Sequence, residues 1–146
     1  MGKTLAAQLE QVGPSTTKAT VRTHTVYVDR PVEKGGNDTG PIGGEYQLVA
    51  MAGCFSSHLL AATIRSRDAQ ISGVKVAATG TLDGNPERFT EFTLTISAAC
   101  DDPDLLQKVV TIAERGCQVI NTLKHAASVV IIVQTTPPLN SQAAER

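Results

Sequence analysis

The sequence has no tryptophan, and phenylalanine and tyrosine together make up only 3% of its 146 residues. The core must therefore be built from aliphatic and small side chains. Charge is nearly balanced, with a formal net charge of -1, so no basic surface favours nucleic acid or an anionic membrane. No apolar run is long enough to span a bilayer. We therefore expect neither nucleic acid nor a membrane as a partner.

Two further absences narrow the location and the chemistry. The amino terminus lacks the apolar stretch and cleavage site of a secretory signal, which predicts a cytoplasmic protein with mainly reduced thiols. Neither a Cys-x-x-Cys nor a His-x-x-x-His pattern occurs, so we expect no metal site. The length predicts one domain over residues 1–146.

A long stretch without acidic or basic residues lies between Glu45 and Arg65, where His58 is the only possible cation. A surface helix would show a charged face, so we predict a buried central helix from about 44 to 67. Cys54 lies in the middle of this stretch and is carried into the protein interior. Small residues next to it allow another backbone to approach closely.

The segments around this helix show strand and helix patterns in turn. We predict a strand over 18–29, a loop of turn-forming residues over 31–44 and a hairpin of strands over 71–83 and 88–98. A second amphipathic helix begins at Asp102-Pro103 and keeps its apolar stripe to Leu123, and a last strand covers 128–135. This order predicts an α+β fold with a largely antiparallel sheet covering two helices, which also fits a dimer.

Cys54 and Cys117 are the leading candidates for chemistry, because each is the only cysteine of a predicted helix and lies on its buried side. A thiolate attacks peroxide, and a second thiol traps the resulting sulfenic acid as a disulfide. Free cysteine is also among the most buried residue types and often only packs, so both interpretations stay open. We interpret Cys100 as structural, because the two aspartates that follow it raise a thiol pKa.

Two polar residues near Cys54 have alternative roles. His58 lies one helical turn after Cys54, where it could favour the thiolate as a cation, accept the thiol proton, or only pack. Glu45 starts the predicted helix, where a carboxylate favours the helix dipole, and a catalytic role is an equal alternative.

Several blocks of the sequence match one known family in order and context. The sequence resembles the OsmC/Ohr family of organic hydroperoxide reductases over about residues 19–135, on the blocks Asp29-Arg30-Pro31, Gly35-Gly36, Gly40-Pro41, Glu45-(x)2-Leu48-x-Ala50-Met51-Ala52-Gly53-Cys54, Gly73-Val74-Lys75-Val76, Arg88-Phe89-Thr90 and Ala113-Glu114-Arg115-x-Cys117-(x)2-Ile120-Asn121-Thr122-Leu123.

The resemblance implies an OsmC-like fold, in which an antiparallel sheet wraps around two central helices of an intertwined homodimer. The tail over 137–146 lies outside this core and is expected to be flexible. The implied activity is that of a thiol-dependent peroxidase acting on organic or lipid hydroperoxides in an oxidative stress response. Cys54 is then the peroxidatic thiol and Cys117 the resolving thiol. An external dithiol, such as one of the lipoyl type, regenerates the enzyme without a metal or organic cofactor.

The sequence departs from the family pattern beside both cysteines. Family members hold the thiolate with a Glu ten positions before the cysteine and an Arg from the amino-terminal strand region. Here the acid is Glu45, nine positions before Cys54, and either Arg22 or Arg30 could supply the guanidinium. Gln118 follows Cys117, where many members have Pro. His58 could then replace part of the charge network.

Two other functions stay open from the sequence. A non-catalytic OsmC-like dimer could bind an apolar ligand and keep its cysteines for packing. A redox-sensing module could oxidise its thiols without turnover. The number of thiols lost on exposure to a hydroperoxide distinguishes these functions from the peroxidase.

Overall fold

The computed structural model of the chain describes residues 2–65 and 67–125, so the predicted last strand and the tail lie outside the described residues. Its elements, in chain order, are β1 (Gln8–Gln11), β2 (Thr17–Val21), β3 (His24–Val28), a 3-10 turn (Val32–Lys34), α1 (Gly43–Ser57), a π-helical segment (His58–Ile64), β4 (Ile71–Asp83), β5 (Arg88–Cys100), α2 (Pro103–Gly116) and α3 (Gln118–His125).

The amino-terminal sheet contains three antiparallel strands in the order β1-β2-β3. The prediction of one strand over 18–29 is wrong, because the chain turns back between Val21 and His24, which face each other in the β2–β3 register. Arg22 takes a left-handed conformation in this turn, with φ 54. The alternation continues on both sides of the turn, so the apolar pattern alone does not show where the chain reverses.

Asp29 ties this sheet to the loop that leads into α1. Its buried carboxylate accepts hydrogen bonds from Ser15 Oγ and Thr16 Oγ1, both at 2.8 Å, and from the backbone N–H groups of Arg30 and Thr39 at 2.7 and 3.1 Å. Burial would raise the pKa of Asp29, but these four donors hold it well below its usual range. The buried Asp29 carboxylate, which lies outside the helix, therefore holds the loop before α1 against the sheet.

The glycine-rich loop packs against β3 and the residues just after it. A Cβ at Gly36 would collide with the carbonyl of Arg30, and a Cβ at Gly40 would collide with the carbonyl of Tyr27. Tyr46, in the first turn of α1, donates its hydroxyl proton to the same Tyr27 carbonyl at 2.6 Å. Glycine is therefore required at both loop positions, because any side chain would push the backbone off the sheet.

The predicted hairpin is confirmed as β4 and β5, which pair from Ile71 opposite Cys100 to Asp83 opposite Arg88. The second strand is two residues longer than predicted and ends at Cys100. Alternate residues of both strands are half-buried against the helices. This face of the hairpin covers the helices that carry the cysteines.

The central helix is confirmed, but it ends at Ile64 and its last seven residues are π-helical. Met51, Phe55 and Leu59 form its buried side, at 3%, 1% and 0% exposure. The prediction of burial all round is wrong for a single chain, because Val49 and Leu60 are 61% and 51% exposed. An uncharged sequence does not reveal which side faces the chain's own core and which side faces outward.

The predicted second helix starts as expected, since Asp102 Oδ1 accepts from the backbone N–H groups of Asp104 and Leu105 at 3.1 and 3.2 Å. It is not one helix to Leu123, however, because it breaks at Cys117, which has an extended conformation with ψ 109. Gly116 precedes the break and disfavours a continuous helix. The second cysteine therefore lies at a joint between α2 and α3.

The core of the described residues is mainly aliphatic, as the lack of tryptophan predicts, but Phe55 is one of its largest buried side chains. The core is formed by Phe55, Leu59 and Ile64 of the central helix together with residues of α2 and the joint, namely Val109, Ala113 and Cys117. No helix in the described part of the chain is both long enough and apolar enough to cross a membrane.

Candidate active site

Cys54 and Cys117 lie side by side, although 63 positions separate them in the sequence. Cys54 is in the last turn of α1, Cys117 is at the α2–α3 joint, and Cys54 packs against the core cluster that contains Cys117, close enough to influence its pKa. Cys117 is completely buried and Cys54 is half-buried, and both are free thiols. The arrangement therefore places the half-buried Cys54 next to the completely buried Cys117.

Burial raises the pKa of the Cys117 thiol above its ordinary value, and the neighbouring Cys54 raises that pKa further. The backbone N–H groups of Ile120 and Val119 act in the opposite direction, because they donate towards the Cys117 sulfur at the start of α3. Burial outweighs them, so Cys117 is a protonated thiol at neutral pH. It is suited to react second, after a change at its neighbour.

His58 connects the two helical segments that carry the cysteines. It lies one turn after Cys54, and its ring Nε2 is 3.2 Å from Oε1 of Gln118, the residue that follows Cys117. Gly116 lies under the same ring, where a Cβ would be 3.4 Å from Nδ1. The ring therefore packs over the α2–α3 joint, with one ring atom bonded across it.

Glu45 lies at the other end of α1 from Cys54. Its Oε1 accepts from the backbone N–H of Ile42 at 2.9 Å, so it caps the helix start. At about 100° and 1.5 Å per residue, nine steps put it on the opposite side of the helix and about 13 Å from Cys54 along the axis. Gly44, the family's acid position, faces Phe89, whose ring would lie 3.2 Å from a Cβ there.

The two candidate arginines are on the amino-terminal sheet side of the chain. Arg22 is exposed in the β2–β3 turn, and Arg30 is exposed beside the buried Asp29. Within residues 2–65 and 67–125, neither guanidinium makes a hydrogen bond or an ion pair with Cys54. The single chain therefore brings together Cys54, Cys117 and His58 and leaves the candidate charges apart from them.

Cys100 is separate from the thiol pair. It ends β5, where its thiol donates to the carbonyl of Asp102 at 3.1 Å, and this fits the structural role expected from the sequence. No cluster of three or more His, Cys, Asp or Glu side chains that could hold a metal ion occurs in the described ranges.

An apolar cavity of about 450 Å³ lies between α1, β5 and the α2–α3 pair. Phe55, the neighbour of Cys54, and Ile120, three residues after Cys117, both line it. Glu114 and Lys124 line its more exposed side, where their ion pair is 2.6 Å long. A molecule with an apolar body could therefore lie beside the segments that carry the cysteines.

Sequence reasoning identified both cysteines and His58 but gave Gln118 no role. The only signal for Gln118 was its departure from the proline that many family members have after the second cysteine. The break in the second helix was also missed, although Gly116 is a weak signal for it. The contact between His58 and Gln118 depends on how α1 and α3 pack, which local patterns do not specify.

The chain belongs to the family described as OsmC-like protein, because the model of that family matches residues 35–132, about two thirds of the chain. The predicted OsmC-like fold, and the resemblance that suggested it, are thereby confirmed. A comparison with curated proteins gave no match.

Solved structures show the same fold at low sequence identity. An OsmC-like protein from Mycoplasma pneumoniae is 17% identical with a TM-score of 0.75, over 86% of this chain and 91% of that one. An organic hydroperoxide resistance protein from Elizabethkingia anophelis is 17% identical with a TM-score of 0.67, over the same shares. An organic hydroperoxide resistance protein from Legionella pneumophila is 17% identical with a TM-score of 0.59, over 84% and 90%.

Proposed function

We propose that this protein is a thiol-dependent peroxidase that reduces organic hydroperoxides to alcohols. The observation that carries the proposal is the neighbouring pair of free thiols, a half-buried Cys54 and a buried Cys117. Membership of the OsmC-like family and the likeness to two organic hydroperoxide resistance proteins support the same role.

In the proposed reaction the Cys54 thiolate attacks the terminal oxygen of the hydroperoxide. The O–O bond breaks, the alkoxide leaves and takes a proton to become the alcohol, and Cys54 is oxidised to a sulfenic acid. The sulfur of Cys117 then attacks the Cys54 sulfur, and the hydroxyl group leaves with the Cys117 proton as water. An external dithiol, such as one of the lipoyl type, reduces the disulfide and is itself oxidised.

The apolar cavity favours a hydroperoxide with an apolar body, because burying such a body is worth roughly 25 cal/mol per Å². The same cavity supports a second candidate, a non-catalytic protein that binds an apolar ligand. A redox sensor, in which the thiols oxidise without turnover, is the third candidate from the sequence. Neither alternative requires the two thiols to exchange electrons with a reductant repeatedly.

The test is to mix the reduced protein with cumene hydroperoxide and count thiols. We expect rapid loss of two thiols in the wild type and in Cys100→Ser, which serves as the matched cysteine control. Cys117→Ser should lose one thiol and keep a sulfenic acid that dimedone labels, and Cys54→Ser should lose none rapidly. A wild type that keeps its thiols contradicts the peroxidase, and oxidation that no dithiol reverses favours the sensor.

We further propose that the exposed side of α1 is the contact between two copies in the intertwined dimer. Val49 and Leu60 are 61% and 51% exposed, and the exposed Ala50 and Gly53 between them allow close approach. Val49→Asp should lower the mass measured by light scattering from dimer to monomer. Val32→Asp, at a position 68% exposed outside the helices, is the control and should leave the mass unchanged. An unchanged mass for Val49→Asp contradicts this contact.

In such a dimer Arg22 or Arg30 of the second copy is the proposed source of the guanidinium for Cys54. Within one chain both are exposed on the amino-terminal part. Replacing each in turn by Lys keeps the charge and removes the planar, two-pronged donor. Replacing the arginine that interacts with Cys54 should slow the oxidation of Cys54 by hydroperoxide, and replacing the other arginine should leave that rate unchanged.

A further inference from the structure

We propose that His58 and Gln118 are a positioning pair that holds the Cys117 thiol against Cys54 for disulfide closure. This inference rests on the proposed peroxidase function and assigns a role in it to Gln118, which the sequence alone did not suggest. The hydrogen bond between these two side chains links the segments that carry the cysteines without involving the cysteines themselves.

The first support is where the two residues lie. His58 follows Cys54 by one turn, Gln118 follows Cys117 directly, and the 3.2 Å contact joins their side chains across the gap between the segments. The contact therefore runs beside the neighbouring Cys54 and Cys117 side chains. Movement of α3 away from the segment that carries His58 has to break it.

The second support is the joint that carries Cys117. Its backbone is extended between two helices, so neither helix alone fixes its side chain. On the α2 side, Cys117 N–H donates to the Glu114 carbonyl at 3.2 Å, and Asn121 Nδ2 donates to the Arg115 carbonyl at 3.2 Å. These bonds hold α3 to α2. The bond between His58 and Gln118 joins the start of α3 to the segment carrying Cys54.

The third support is the small residue under the ring. A Cβ at position 116 would be only 3.4 Å from Nδ1 of His58, so glycine lets the ring lie close over the joint. The contact also survives a change of histidine tautomer, because the Gln118 amide can donate or accept. A positioning role needs this persistence, whereas proton transfer would need one defined tautomer.

The step that depends on this pair is the second one. The Cys117 sulfur attacks the sulfur of the Cys54 sulfenic acid, the S–S bond forms, the S–O bond breaks, and the hydroxyl leaves with the Cys117 proton as water. Closure needs the Cys117 sulfur close to the Cys54 sulfur and in line with the S–O bond that breaks. Attack of Cys54 on the peroxide needs no movement of Cys117, so loss of the pair should slow closure and spare the first step.

The kinetic test follows both steps after rapid mixing with cumene hydroperoxide. Gln118→Ala should form sulfenic acid at the wild-type rate but close the disulfide about fivefold more slowly, as expected for loss of one net hydrogen bond. Gln107→Ala removes an exposed glutamine whose bond stays within α2, and it should change neither step. His58→Gln restores an amide partner and should close faster than His58→Ala.

A double-mutant cycle tests whether the two residues act through one contact. For the closure step, His58→Ala combined with Gln118→Ala should be no slower than the slower single variant. Fully additive effects would overturn the proposal, because they mean that the two residues act separately.

A second arm does not require peroxidase activity. The disulfide is brought to equilibrium with reduced and oxidised dithiothreitol, and Gln118→Ala should shift the equilibrium about fivefold towards the reduced thiols. An unchanged equilibrium and an unchanged closure rate would overturn the positioning role. A wild type that forms the disulfide here but loses no thiols to hydroperoxide would contradict the peroxidase function alone.

Discussion

Oxidation of Cys54 and Cys117 to a disulfide should stabilise the fold by an amount set by the chain between them. A bridge across the 63 positions that separate them removes loop-closure entropy worth about 4 kcal/mol from the unfolded chain. The native state should lose little of this to strain, because the two cysteines are already neighbours in the reduced protein. For a chain of 146 residues this corresponds to roughly 10–15 °C in melting temperature.

The measurement is urea unfolding of the reduced and oxidised protein at one protein concentration, since dimerisation would make stability depend on concentration. Cys100→Ser keeps the pair and should show the full difference, whereas Cys54→Ser treated with the same oxidant should show none. A gain below about 1 kcal/mol in Cys100→Ser would refute the argument. It would mean that the bridge forms only by distorting the joint at Cys117.

Three further predictions test the core, the buried charge and the second thiol. Leu59→Ala should cost about 3–5 kcal/mol in urea unfolding, because this side chain is 0% exposed, whereas Leu5→Ala, at 85% exposure, should cost almost nothing. Asp29 has a folded pKa below its unfolded value, so its contribution is present above about pH 4 and lost as the pH falls below that value. Asp29→Asn should therefore lower the melting temperature at pH 7 and flatten its fall below pH 4, and an unchanged slope would contradict this. The pKa of Cys117 is raised, so the rate of disulfide closure, measured by stopped flow, should still rise about tenfold per pH unit above roughly pH 8.5, where the rate of an ordinary thiol levels off. A plateau at or below that pH would contradict the raised pKa.

Glu45 shows why a residue one position away from a motif position cannot take over the role of the motif residue. Glu45 caps the helix start by accepting from Ile42, and nine steps at about 100° turn it away from Cys54. Gly44 faces Phe89 of β5 closely enough that a side chain there requires the ring to move. The residues found beside the thiols are instead His58 and Gln118.

Much of the fold could be predicted because its signals are local. The cap at Asp102, the proline after it and the turn between β4 and β5 act within a few residues, and each prediction is confirmed. The strand over 18–29 was wrong because an alternating pattern is the same before and after a tight turn. The second helix was wrong at Cys117 because an apolar stripe continues across a break when both helices pack on the same core.

The sequence by itself determined that the chain is an α+β protein with a central helix that has no charged residue between Glu45 and Arg65, and with one thiol on each of two distant segments. Composition, periodicity and capping residues are properties of neighbouring residues, so they can be seen without a structure. Only the tertiary structure decided that Cys54 and Cys117 are neighbours, that Glu45 faces away, and that His58 binds Gln118. These facts depend on the packing of α1 against the α2–α3 joint, which joins residues about 60 positions apart and leaves no local pattern.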